Sequence, residues 1–148
     1  MLYANEENGL AGARAYAAGH ADELARHVLA LESDRGGFAP RGFDTDAERA
    51  GFERLAAMAA LLEPIGAARV EAGGGGADIS TLAPSGVPLV GLVPDAARYF
   101  DVHHAARDTL EQVAPRELQL GTAAMAALLW MVAEDPETFP RNAAGGAP

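Results

Sequence analysis

The 148-residue chain is 49% apolar and 22% charged, the balance of a globular domain with one sizeable core and not of a chain disordered throughout. Its basic side chains are all arginine, 11 against 21 acidic residues for a formal charge of -10, so it lacks the flexible lysine tract that tracks a nucleic-acid backbone and no nucleic-acid partner is expected. Cysteine is absent, which excludes disulfides, thiolate metal ligands and a thiol nucleophile.

The short apolar run Leu2-Tyr3-Ala4 stands where a strand would deliver Glu6 and Glu7 to a sheet edge, ahead of the turn at Asn8-Gly9. From Gly9 to about Ala30, the residues Leu10, Ala13, Ala17, Leu24 and Val28 recur near helical spacing, and Gly19 divides the segment in two. Residues 28–32 read as a buried strand that ends at Ser33-Asp34, and residues 36–42, rich in Gly and carrying Pro40, read as a turn. Thr45 and Glu48 have the spacing of a capping box, in which hydroxyl and carboxylate accept from orphan backbone N–H groups. The helix they would open places Phe52, Leu55, Ala59 and Leu62 on one face and stops at Pro64.

Further along, residues 67–71 predict a short strand, Gly73 to Gly76 a flexible turn, and Asp78 to Leu82 a capped short helix. Residues 87–93 are apolar enough for a buried strand, with Pro88 confined to its start. A loop from Pro94 to Asp108 holds His103 and His104. Pro115 then opens a helix from about Arg116 to Glu134, with Leu118, Thr122, Met125, Leu129 and Val132 facing inward, closed by Asp135-Pro136. Its most apolar stretch, residues 125–133, falls short of the roughly 20 residues that span a bilayer, so no membrane partner is expected. No charged, then apolar, then small-residue leader opens the chain. Strands separated by longer helices predict an α/β fold, a mixed sheet flanked by helices, over residues 1–136, with 137–148 a disordered tail.

Glu7, Asp34 and His104 each fall just beyond a predicted strand or in a following loop, and the carboxyl ends of strands in open α/β sheets converge on one crevice. Carboxylate oxygens with imidazole suit zinc, and a Glu6 kept off the metal could take and return a proton. Each residue also has a plainer reading. Glu6-Glu7 fits a solvated turn, Asp34 a turn acceptor, His103-His104 a polar surface loop, and Asp78 and Asp108 helix caps. Gly73 to Gly76 has no following Lys-Ser or Lys-Thr to cradle phosphate, and no serine sits in a Gly-x-Ser-x-Gly elbow.

Five ordered motifs carry a resemblance: Asn5-Glu6-Glu7-Asn8-Gly9, Leu31-Glu32-Ser33-Asp34, Gly74-Gly75-Gly76-Ala77-Asp78-Ile79, Ala83-Pro84-Ser85-Gly86-Val87-Pro88, and Tyr99 through Thr109 with His103-His104 and Asp108. Together they resemble the M28 family of co-catalytic zinc exopeptidases, in its carboxypeptidase Q branch, over about Leu2 to Pro136. The resemblance implies that Glu6 is the general base and that Glu7, Asp34 and His104 are zinc ligands. It further implies that Asp108 orients His104, that Asp78 forms the pocket wall, and that His103 stands where other branches stabilise the tetrahedral intermediate. A peptide or dipeptide substrate, two zinc ions in the intact site and a secreted or periplasmic location are implied in the same way. The family's upstream histidine ligand and bridging aspartate have no counterpart here, so the expectation is a partial zinc-exopeptidase domain with early strands missing and weak zinc occupancy. Little autonomous activity would follow, with the exposed sheet edge covered by a complementary chain or another copy. The alternative is a non-catalytic binding or assembly module.

Overall fold

The computed structural model describes residues 1–145. At its centre lies β4 (Leu89–Pro94), paired in parallel with β1 (Ala30–Glu32) and antiparallel with β2 (Pro40–Thr45), while β3 (Arg69–Ala72) runs parallel to β2. The sheet is therefore mixed, in the order β1-β4-β2-β3, with β1 and β3 at open edges among the described residues. An unbroken apolar run suits β4 because both of its faces are covered. Val90 and Leu92 join Phe43 under α2 (Arg49–Ala60) and α4 (Pro115–Glu134), where Leu55, Ala59, Ala124 and Leu128 complete the larger core. On the opposite face Leu89 meets Leu24, Ile79, Leu82 and Val87, beneath α1 (Ala11–Gly19) and the 3-10 segment Asp78–Ser85. This is the α/β arrangement expected, and each large side chain buried in it contributes about 1.5–3 kcal/mol. No helix among the described residues is long and apolar enough to cross a membrane.

Several local expectations are corrected. Residues 2–4 form no strand, because their backbone lies against the first turn of α1: Gly12 N–H donates to Ala4 O at 2.9 Å, and a Cβ on Gly12 would come within 2.6 Å of Ala4 N. Residues 40–42, read as turn, instead begin the strand β2, which is buried at every position except Arg41. Pro40 and Gly42 disguise it, and the ladder with β4 is irregular between these two residues. The capping box does not form. Thr45 lies in β2, where its hydroxyl donates to Leu89 O at 2.7 Å and accepts from Ala47 N, and Glu48 is itself the residue at the helix entry, accepting from Ala143 N at 2.8 Å. Asp78 likewise makes no side-chain cap, and the loop after Pro94 contains a 3-10 turn, Ala96–Arg98, followed by one α-helical turn, α3 (Tyr99–Val102).

The inward face of α4 is only in part the expected one: Met125 and Val132 pack against the core as expected, but the centre of the contact lies elsewhere. Gly121, Ala124 and Leu128 are buried, whereas Leu118 and Leu129 are half exposed and Thr122 turns its hydroxyl back to Leu118 O. Small residues decide the contact: a Cβ at Gly121 would already stand 3.2 Å from a Leu92 methyl, so the helix axis approaches the sheet where its side chains are least. After α4, Phe139 enters the core at 2% exposure, Arg54 donates to Asp135 and to Glu137 O and Thr138 O, and Asn142 bonds with Asp46, Glu48 and Gly86. The expected disordered tail is thus anchored as far as those contacts reach, and residues 146–148 lie outside the described part.

Candidate functional site

Three segments bring their polar side chains to one cleft. Glu6 and Glu7 ride on a single 3-10 turn, Glu6–Asn8, between Asn5 at φ 65° and Gly9 at φ 90°. Asp34 follows the end of β1, as the topology of an open α/β sheet requires of a cleft residue. His103 and His104 leave the C-terminal end of α3. Glu6, Glu7, Asp34, His103, His104 and Asp108 all line one cavity of about 360 Å³, walled by Phe38, Tyr99 and Val113. Asp78 stands apart from it, in a neighbouring concavity that Glu6, Glu32 and Asp34 share.

Backbone strain concentrates here. Among the described residues the non-glycine positions with positive φ are Asn5, Leu10 and His104, and each of them flanks or belongs to this cleft. A left-handed L-residue costs about 1–2 kcal/mol, and such costs persist where surrounding structure holds a side chain in a useful place. At His104, φ of 53° turns the ring so that Nε2 lies 3.2 Å from Glu7 Oε1. The pair is more than half exposed, so it adds little to stability. His103 stacks on Tyr99 with ring centroids 4.6 Å apart and stands 4.0 Å from the His104 ring. No hydrogen bond joins Asp108 to His104 among the described residues.

Carboxylates dominate the electrostatics. Burial, then Glu7, Asp34 and Asp78, hold the Glu6 carboxyl above the ordinary glutamate range, with His104 opposing. Asp78 is raised by burial and by Asp34, and its Oδ1 is enclosed without a hydrogen-bond partner. Glu32 was not singled out from sequence, since a glutamate at the end of an apolar strand gives no signal of its own. It accepts from Ile79 N at 3.1 Å and Asp78 N at 3.4 Å, yet burial keeps its carboxyl raised.

Raised carboxyls stabilise the fold most when protonated, below the ordinary carboxylate range, and that contribution is lost as pH rises through their elevated folded values. Asp78→Asn should therefore raise the melting temperature at pH 7, and the gain should shrink to a small remainder near pH 3.5, where aspartate is protonated in the folded chain and mostly so in the unfolded one. Thermal unfolding followed by circular dichroism at both pH values checks this; an equal gain at both would assign the effect to packing.

The donor chemistry suits zinc: a carboxylate and an imidazole nitrogen 3.2 Å apart, with a second carboxylate on the same cavity wall. The set is open, because among the described residues no three His, Asp or Glu side chains gather closely enough to hold an ion. Glu7 and His104 stand together in the cavity, and Asp34 is the second carboxylate that lines it.

The sequence matches the family model described as Peptidase family M28 over residues 1–129. Carboxypeptidase Q of Pongo abelii and carboxypeptidase Q of Homo sapiens are each 30% identical to it over 142 residues, which is 96% of this chain and 30% of theirs. The crystal structure of the peptidase M28 precursor from Shewanella amazonensis SB2B matches with a TM-score of 0.86 at 34% identity, covering 96% of this chain and 32% of that one. The chain thus spans about 30% of the length of the curated relatives it matches.

Proposed function

Because this chain belongs to peptidase family M28, we propose that its cleft is part of a zinc exopeptidase site acting on terminal peptide bonds or dipeptides, with weak or no turnover by the chain alone. The observation that carries this is the convergence of Glu6, Glu7, Asp34 and His104 on one cavity from three separate segments. Glu7, Asp34 and His104 would hold zinc. When bound, zinc supplies Lewis acidity toward a scissile carbonyl and acidifies water.

The remaining work falls to this chain's own groups. Glu6 takes a proton at its carboxylate and returns it to the departing amine, a task suited to a carboxyl whose proton affinity the site has raised. His103 donates an N–H toward the oxyanion as charge develops, with Tyr99 stacked behind the ring to hold its plane. Asp108 lines the same cavity without bonding to His104, so an orienting role for it would require the ring and the carboxylate to draw together when zinc is held, and Asp78 lines the neighbouring concavity that Glu6 shares.

Weak autonomy is supported by the open donor set and by the chain's share of its relatives' length. A second reading, a binding or assembly module on the same fold, draws support from apolar surface beside the β1 edge. Leu2, Val28 and Leu129 are exposed there, and Leu29 and Leu31 are only partly covered. A complementary chain or a second copy would cover that surface, and native mass measurement in solution would reveal either. Calorimetric zinc titration followed by a dipeptide hydrolysis assay tests the peptidase reading. We expect fewer than two tightly held zinc ions per chain and low turnover; two tight ions in a monomer with substantial turnover would overturn the claim of weak autonomy.

A further inference from the structure

Asp44 is a carboxylate at the heart of the sheet. It lies in β2 between the fully buried Phe43 and Thr45, its side chain 5% exposed, opposite Gly91 of β4 in the ladder. Glycines make the space for it. A Cβ on Gly73 would stand 2.7 Å from Asp44 Cβ, and one on Gly91 would collide with both Asp44 Oδ1 and Gly75 O. Its charged partner is Arg35, whose Nη2 donates to Asp44 Oδ2 and, at 3.3 Å, to Gly75 O. Asp44 Oδ1 has no hydrogen-bond partner among the described residues.

An ion pair so placed is a poor source of stability, since an apolar pair of similar volume does as well or better. Its position offers another role. Arg35 directly follows Asp34 in the turn after β1, and that turn makes two further contacts with the glycine-rich loop after β3: Arg35 to Gly75 O, and Ala77 N to Asp34 Oδ2 at 3.4 Å. Arg35 is therefore the tie between this turn and the buried interior of the sheet, beside the contact that Asp34 makes with Ala77 N.

We propose that Asp44 is a positioning residue: through Arg35 it fixes the turn that carries Asp34, and with it the place of the Asp34 carboxylate on the cavity wall. Only the consequence for metal affinity rests on Asp34 being a zinc ligand; the ordering of the turn does not.

The test compares the wild-type chain with Asp44→Asn and with the double variant Arg35→Met/Asp44→Asn, which leaves no unpaired charge in the sheet should the single variant fail to fold. Backbone 15N relaxation is measured well below each melting temperature. Order parameters of residues 34–37 should fall from about 0.85 to below about 0.6, with those of α4 unchanged. Zinc affinity by calorimetry should drop about 10- to 100-fold. A role confined to stability would lower the melting temperature and leave the turn as ordered as before, and that result in either folded variant would overturn the proposal. Should the wild-type chain take up no zinc, as its open donor set allows, the affinity comparison falls away and the order parameters alone decide whether Asp44 positions the turn.

Discussion

Glu6→Gln is expected to lower dipeptide hydrolysis about 10²- to 10⁴-fold, the usual contribution of a positioned general base, and to leave zinc affinity unchanged. The substitution keeps the shape of the side chain and removes only its capacity to accept a proton. Steady-state rates with zinc calorimetry on the same preparation, with the wild-type chain assayed alone and with any complementary chain that native mass measurement finds, separate three outcomes. Lost turnover with retained zinc makes Glu6 a base. Loss of both would make it a metal ligand, contrary to the division of labour proposed for the Glu6-Glu7 pair. No change in either favours the assembly reading. The turn Glu6–Asn8 makes the first outcome reasonable, because adjacent residues on one 3-10 turn diverge in direction, and it is Glu7, not Glu6, that meets His104.

Leu128→Ala should cost about 2–5 kcal/mol, whereas Leu129→Ala should cost less than about 1 kcal/mol. Leu128 is fully buried against the sheet, so its truncation leaves a cavity beneath α4; Leu129 is 45% exposed and leaves none. Against a total of about 5–15 kcal/mol for a typical domain, the first loss shifts the unfolding midpoint strongly. Denaturant titration with a common slope for both variants checks the difference. Equal losses would mean that α4 is seated on the face its large side chains suggest. They would also arise if another chain covers Leu129 in solution, and the dependence of its cost on protein concentration would reveal that.

These two leucines show why part of the fold was legible and part was not. Periodicity weighs large apolar residues, and along residues 115–134 it selects Leu118, Thr122, Met125, Leu129 and Val132. Packing instead rewards the face where Gly121 and Ala124 permit close approach, with Leu128 reaching between strands. Strand β2 was hidden for a related reason. Pro40, Gly42, Asp44 and Thr45 look like turn chemistry, and only a partner arginine, a carbonyl acceptor on Leu89 and clearance at three glycines make that segment tolerable in a sheet interior. Arg35 and Asp44 lie nine residues apart in no regular element, so no spacing rule joins them.

By itself the sequence determined the α/β class, the central apolar strand, the two long helices and which polar residues line the cleft, because these rest on local composition and on short motifs in order. Tertiary structure alone decided which face of α4 is inside, that β2 is a buried strand, and that Glu7 meets His104 in a cavity that Asp34 also lines. The physical reason is common to all three. Burial and side-chain convergence are set by contacts between residues far apart along the chain, whose energies no local pattern of apolar and polar positions contains.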